Sequence, residues 1–490
     1  EYRITVLSRR GDIQADELLG HPICVAVTTP HGSIREFNGL AAGFYQVGQN
    51  GRYHQYLIVV RPWTWLLTRT SDCKIFQDKT IRQIIEKVFA DHPYADFEFH
   101  LTSSYTTWAY CVQYRESDFN FLTRLMEQEG MHFFFRHQNG KHTLVIADSL
   151  RAHVAADHYG EVRFREPETT HARADEGIRE WSHGAEIQPT RFIQRDFNFE
   201  KPRADMQADA GPARPLKHQH QAAFDIFDYP GEYEERGEGQ RIAAVRIEEM
   251  RHQFDHFNGE GNAAGLATGG LFKLLEHPRD DQNQEYLIVE ADYRVEESPL
   301  ESELATTELI GLRFRAIPSA QIFHPPRLTP KPIVQGPQTA IVVGPAGDEI
   351  HTDKYGRVKV QFHWDRYGKK DQNSSCWIRV SHPWAGQNWG MIAIPRIGQE
   401  VIVEFLEGDP DRPIITGRVY NADQMPPYAL PANMTQTGIK TRSTKGGGVA
   451  NFNEIRFEDK KGAEQVYIHA EKSQDIVVEN DETTHVKHDR

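Results

Sequence analysis

His252 and His256, in His252-Gln253-Phe254-Asp255-His256, are spaced so that both rings share one face of a helix, the arrangement zinc peptidases use. Gln253 stands where such an enzyme needs its general-base glutamate, so a metal-bound water would have no base. The segment is therefore read as a solvated helix face. His218-Gln219-His220 alternates in a polar stretch, pointing its rings apart, and lacks Cys or acidic companions at ligand spacing. No G-x-S-x-G nucleophile elbow occurs, and Ser117 and Ser381 are read as a helix cap and a turn. The glycines between Gly259 and Gly265 have the wrong spacing for a dinucleotide loop and follow a helix rather than a strand, so they are read as a turn. Glycoside hydrolysis needs an acid and a base on separate elements. Glu127 and Glu129 lie two apart on one helix, and Glu404 and Glu407 flank a turn, so neither pair qualifies. Trp364, Trp377, Trp384 and Trp389 could stack bases, yet Asp365, Asp371, Glu400, Glu404 and Glu407 beside them oppose phosphates. These tryptophans are read as core and interface packing. No catalytic, cofactor or metal site is expected.

The elements that would position such groups belong to a chain of 490 residues, too long for one core, so two to four domains are expected. With 39% hydrophobic and 26% charged residues the composition is that of a globular protein. A formal charge of −14 and a pI near 5.9 argue against a nucleic-acid partner, which normally calls for a basic stripe. Cys24, Cys73, Cys111 and Cys376 are far apart, without a C-x-x-C pair, which suits buried free thiols in a reducing compartment. No run of about 18 apolar residues suggests a membrane-spanning helix. No basic-then-apolar leader opens the chain.

Residues 1–70 read as strands at Arg3–Leu7, Ile23–Thr28 and Tyr56–Pro62. A helix follows, capped by Asp78 or Thr80, with Ile81, Ile84, Ile85, Val88 and Phe89 on one face and His92-Pro93 closing it. A second helix is expected over Ser117–Glu129, stopped by Gly130. Met131–Phe135 and Thr143–Ala147 around Asn139-Gly140 then signal a hairpin. Thr190–Gly239 reads as loop, Gln240–Phe257 as a third helix, and strands resume at Gly270–Glu276, Glu285–Tyr293 and Glu308–Ala316. The prolines within Ile317–Val334 mark a linker. Beyond it, Gln338–Val343, Arg357–Phe362, Cys376–Val380, Met391–Ile394, Glu400–Phe405 and Ile414–Val419 suggest a small Greek-key barrel of the OB type.

The tail from Gly446 carries short one-sided strands with nothing in the chain to cover them. Ile455 and Phe457 alternate in Asn453–Asp459, Val466 and Ile468 in Gln465–Glu471, and Ile476 and Val478 in Asp475–Asn480. Such strands need a partner surface. Identical copies are the economical source, so a three-fold β-prism is expected, with Ile455, Phe457, Val466, Ile468, Ile476 and Val478 at the interface. The strand pattern still runs at Thr484–Lys487, and the tail is expected to continue.

Several segments together resemble one family, the VgrG spike proteins of bacterial type VI secretion. They are Glu116-Ser117-Asp118-Phe119 leading to Leu125–Gly130, Phe227-Asp228-Tyr229-Pro230-Gly231-Glu232-Tyr233, and Asp353-Lys354-Tyr355-Gly356-Arg357-Val358. To these add Trp377-Ile378-Arg379-Val380, Pro395-Arg396-Ile397-Gly398, Gly408-Asp409-Pro410-Asp411-Arg412-Pro413 and Asn453–Asp459. The resemblance implies a mainly β fold with α+β insertions, similar to a contractile-phage baseplate hub fused to its spike. Residues 1–335 would be the hub-like region with β-barrels, 340–420 the OB-fold barrel, and 421–490 a linker and the start of a triple-stranded β-helix or prism. It implies a homotrimer that seats on a hexameric tube protein, carries a tip-sharpening protein at its distal end, and meets baseplate proteins and effectors. Assembly in the bacterial cytoplasm, secretion, and mechanical insertion into a target membrane would follow, with no enzymatic activity. The phage spike's lysozyme domain has no counterpart, because only Asn421–Gly446 separates barrel and tail. Three other readings stay open: a phage or phage-derived tail hub, a secreted cell-wall hydrolase with spike-like delivery domains, and a carbohydrate-binding adhesin using the barrel tryptophans.

Overall fold

The computed structural model describes residues 1–166, 175–213, 224–296 and 310–488. His218 and His220 lie outside the described residues. The chain divides into two compact units, the first made of residues 1–72, 78–108 and 115–331, the second of 73–77, 109–114 and 332–490.

The first unit is built on mostly antiparallel sheets. Tyr2–Ser8, Tyr53–Arg61, Ile34–Asn50 and Pro22–Thr28 pair in that order. Their inner face holds Ala41, Ile58 and Val60 against Ile4, Val6, Ile23 and Phe44. The long strand Ile34–Asn50 does not alternate cleanly in sequence, because bulges at Ala41/Gly43 and Gln46/Gly48 shift its register. A second sheet runs Glu161–Arg163, Leu271–Leu275, Glu285–Val295, Ile310–Pro318, Asp255–Gly261, Ile178–Ala185. Phe257, Phe272, Tyr286 and Phe314 fill it around the half-buried Trp181, whose indole N–H donates to Gln282 Oε1 at 3.1 Å.

Three helices pack beside these sheets. Helix α1 (Ile81–Phe89) is capped by Thr80, whose hydroxyl accepts from the Gln83 N–H, and it buries the five predicted apolar residues. Helix α2 (Asp118–Glu129) begins at the Ser117 cap and stops at Gly130, whose φ of 76° only glycine adopts readily. The hairpin His132–Gln138/Lys141–Ala147 follows as expected, with Asn139 and Gly140 at φ 54° and 71°. Helix α3 corrects the expectation of a helix over Gln240–Phe257: it spans Arg236–Arg251. His252 is its C-cap and His256 lies in the Asp255–Gly261 strand, so the two rings share no helix face. Phe257, Gly259 and Gly261 are buried at every second position, a period of two that a helix would not support. The stretch read as loop also contains three short strands, Arg191–Gln194, Ala208–Ala210 and Asp225–Asp228, packed on α3.

The proline-rich segment after 317 is held down. Glu127 of α2 accepts from the Leu328 and Thr329 N–H groups at 3.1 and 2.9 Å and from the Thr329 hydroxyl at 2.8 Å. Glu249 of α3 accepts the Arg327 N–H at 2.9 Å, and His324 Nδ1 donates to the Gly130 carbonyl at 2.8 Å. Arg246, with only 1% of its surface exposed, joins the two helices through Glu249 and the carbonyls of Glu127 and Gln128. The carboxylates replace the backbone partners an extended segment lacks.

Three histidines, His132, His153 and His252, collect near this strap and its own His324. His153 Nδ1 donates to the Gly269 carbonyl at 2.8 Å, leaving its Nε2 to accept from His132 Nε2 at 2.9 Å. His132 Nδ1 and His252 Nδ1 then have no partner among the described residues, and the centre of the Phe323 ring lies 5.4 Å from the first ring and 5.2 Å from the second. Burial, reinforced by His153 and His324, holds His132 down to about 3, with Asp148 opposing. Burial and the Arg315 charge hold His252 down to about 4. Both folded values lie below the ordinary 6.5. The stability these neutral rings permit is therefore complete above pH 6.5 and is lost as pH falls toward 4. Thermal melting should show the first unit losing about 3 kcal/mol from His252 alone between pH 6.5 and 4. His252→Gln should flatten that slope; an unchanged slope would show that other groups set it.

In the second unit, Lys359–Phe362, Gln338–Val343, Glu400–Phe405, Pro413–Val419 and Arg379–Val380 pair in that order. Reciprocal hydrogen bonds between Val358 and Ile378, at 3.0 and 2.8 Å, close the row into a barrel. Val342, Val360, Val401, Val403 and Ile415 fill it. Of the strands expected here, Met391–Ile394 does not form as one: the pairing segment is Trp389–Met391, in a separate two-stranded ribbon with Trp384–Gly386. The barrel also recruits residues from far upstream. In the ribbon of Ser71–Lys79 and Trp108–Ser117, Ile75 packs on the barrel core and the Val112 N–H donates to Asp411 at 2.6 Å. Tyr114 accepts from Gln338 at 2.8 Å and sets its ring edge-on to Trp364.

Candidate oligomerisation face

Three antiparallel strands form the tail sheet, Gln436–Lys440, Glu454–Glu458 and Gln465–His469, with Glu454–Glu458 in the middle. Register places Ile439, Ile455 and Ile468 in one row across the sheet. Phe457 and Val466 form the next row, beside Thr437. Alternation puts all of these on one face.

The opposite face carries charged side chains that gather within the chain. Glu454 is buried, with Lys440 Nζ at 3.9 Å and Arg456 Nη1 at 3.7 Å. The Lys440 ammonium sits 3.8 Å from the centre of the Phe452 ring, and the Arg456 guanidinium 4.7 Å from that of Tyr467. A Cβ at Gly438 would strike the Tyr428 hydroxyl and the Ile455 carbonyl, so only glycine lets the first strand pass there. The Thr435 hydroxyl on Glu458 holds that carboxyl below the usual range.

The face carrying the apolar rows is bare. Ile439 is 58% exposed, Ile455 49% and Ile468 59%, although register sets them side by side in one row. A folded sheet normally buries its apolar face and wets the polar one; here the order is reversed. Covering the five half-exposed side chains would contribute about 5 kcal/mol per copy, taking about 1 kcal/mol for each.

The structure brings together four of the residues predicted for this interface, Ile455, Phe457, Val466 and Ile468. Ile476 and Val478 lie outside any strand, and the strand expected over Asp475–Asn480 is not formed. Ile439 was missed. Gly438 interrupts the pattern of its strand, and only the Thr437/Ile439 alternation hints at it. The sheet is fixed to the barrel: Glu349 accepts from the Gly446 N–H at 2.6 Å, and Arg396 donates to the Arg442 carbonyl at 2.8 Å.

None of the described residues weighed for chemistry assembles into a centre. Glu127 and Glu129 are buried, but Glu127 holds the strap and Glu129 pairs with Arg241. Among the described residues no group of three or more His, Cys, Asp or Glu is placed to hold a metal ion. No described helix is long and apolar enough to cross a membrane.

Three family descriptions match the chain in order along its length. "Phage tail baseplate hub" matches residues 1–299, "Type VI secretion system/phage-baseplate injector OB domain" 339–420, and "Bacteriophage T4 gp5 C-terminal trimerisation domain" 437–490. The chain is 50% identical to the type VI secretion system spike protein VgrG1b of Pseudomonas aeruginosa, over 100% of this chain and 66% of that protein. It is 49% identical to VgrG1a of the same organism, over 99% of this chain and 75% of that protein. The chain belongs to the VgrG family of type VI secretion system spike proteins. It spans about two thirds of the length of VgrG1b.

Solved structures agree on the fold. An E. coli type VI secretion component, described as structurally similar to T4 bacteriophage tail proteins gp27 and gp5, aligns at a TM-score of 0.61 with 20% identity. That alignment covers 85% of this chain and 92% of the other. A chain of the Francisella PdpA–VgrG complex aligns at 0.57 with 8% identity, over 95% of this chain and 81% of that one.

Proposed function

We propose that this chain is the trimeric spike of a type VI secretion apparatus. In this reading residues 1–335 form the hub that seats on the hexameric tube, 340–420 the OB collar, and 421–490 the beginning of the needle. A tip-sharpening protein caps the distal end, effectors and baseplate proteins attach to the assembly, and contraction drives it through a target membrane. The spike is assembled in the cytoplasm and then secreted. The role is mechanical rather than catalytic: interwound copies pair every strand edge and spread force over many backbone hydrogen bonds.

The observation that carries this reading is the bare apolar face of the tail sheet. Sedimentation equilibrium should give three times the chain's 56.3 kDa, and negative-stain images should show a three-fold needle. A stable single copy with Ile455 and Ile468 shielded from solvent would overturn it. Incubation with purified peptidoglycan should release nothing; soluble muropeptides would restore the hydrolase reading.

A further inference from the structure

The ribbon formed by Trp384–Gly386 and Trp389–Met391 is the second apolar feature of the barrel unit without a covering. Among the described residues its strands pair only with each other, Trp384 opposite Met391 and Gly386 opposite Trp389. A two-stranded ribbon alone in water is marginal. The two indoles meet edge to face, centroids 5.1 Å apart. That contact leaves Trp384 63% and Trp389 58% exposed, and the next residues, Met391 and Ile392, are exposed too. The backbone is shaped for this display. A Cβ at Gly386 would overlap the Trp389 ring, one at Gly390 would overlap the Trp384 carbonyl, and Asn388 turns the chain at φ 64°. Large aromatic surface held outward on a backbone that tolerates few alternatives is a docking device.

Its position says what it docks on. Ile394 packs on the barrel core, and Arg418 donates to the Ala393 carbonyl, so the ribbon base is anchored. Arg396 reaches the Arg442 carbonyl, two residues past the tail strand that carries Ile439. From Ile392 to Arg396 an extended chain covers at most about 13 Å. The aromatic ribbon and the tail face are thus neighbouring parts of one body, and whatever gathers three tails also gathers three ribbons.

We propose that the Trp384–Met391 ribbon is an arm that crosses to the barrel unit of an adjacent copy, a second contact between copies independent of the tail sheet. This rests on the trimer reading and adds to it a residue-level prediction about a different part of the chain.

Oxidation of tryptophans by N-bromosuccinimide, read residue by residue by mass spectrometry, tests it on the intact chain. In the assembled protein Trp384 and Trp389 should react at least about tenfold more slowly than in the dispersed Ile455→Asp/Ile468→Asp variant, while Trp65 changes little. A photo-cross-linking residue at position 389 in a mixture of light and heavy isotope-labelled chains should give light–heavy cross-links. Trp384→Ser/Trp389→Ser should keep the barrel fold by circular dichroism and raise the dissociation constant between copies at least about tenfold. Trimers in which both indoles react at the dispersed rate would overturn the arm and leave the trimer standing. Cross-links confined to the same chain, or made only to another protein, would also overturn it. Absence of any trimer would overturn the underlying reading and the arm with it.

Discussion

Ile455→Asp combined with Ile468→Asp should convert the assembly into single copies. The two isoleucines sit side by side in the apolar row, each about half exposed in one copy. Each substitution removes about 1 kcal/mol of further burial and asks a carboxylate to leave water without a partner, which costs several more. Three copies would bring six such carboxylates close together. The summed loss, about 10 kcal/mol or roughly seven decades in the association constant, leaves no trimer at micromolar concentrations. The first unit should be untouched, so far-ultraviolet circular dichroism and the main melting transition stay in place while sedimentation falls to the mass of one chain. A trimer that survives both changes would remove the tail sheet from the assembly.

The second large effect concerns Arg246. Arg246→Met fills the same space but strands the Glu249 carboxylate, which is nearly buried, and two helix-end carbonyls. Breaking one partner out of a buried ionic network costs about 3–5 kcal/mol. Glu127→Ala acts on the other side of the strap, leaving the Leu328 and Thr329 N–H groups unpaired, at about 2–4 kcal/mol. Both should lower the melting temperature of the first unit, and the strap should become a trypsin site at Arg327 and Lys331. If Arg246→Met melts like the wild type and resists trypsin, the network is not what holds the strap. Combining the two changes should cost less than their sum, because they act on one network.

Much of this was legible in the amino-acid sequence where local chemistry decides the outcome. The Ser117 cap, the Gly130 stop and the Asn139-Gly140 turn each satisfy a backbone requirement with a single residue, and each element formed where those residues placed it. The alternation of Ile455, Phe457, Val466 and Ile468 likewise survived into one face. Reading failed where distant partners decide. Apolar spacing through Phe257 extended α3 on paper, but pairing with Ile178–Ala185 and Ile310–Pro318 takes residues 255–261 into a sheet. Glycines hid the bulged strand Ile34–Asn50 and the first tail strand. The proline-rich segment looks like free linker because its partners, Glu127 and Glu249, lie on helices about 200 and 78 residues earlier in the chain.

The ribbon residues 73–77 and 109–114 that the barrel unit recruits carry a consequence for synthesis and for gene exchange. Val112 and Asp411 are 299 positions apart, and Gln77 and Asn373 are 296. The ribosome therefore releases part of the barrel unit long before the rest exists, and contacts of such separation form slowly. A fragment starting near residue 332 would lack pieces of its own wall. Recombination that swaps barrels between relatives must carry the early ribbon along, or accept an unfilled seam beside Trp364.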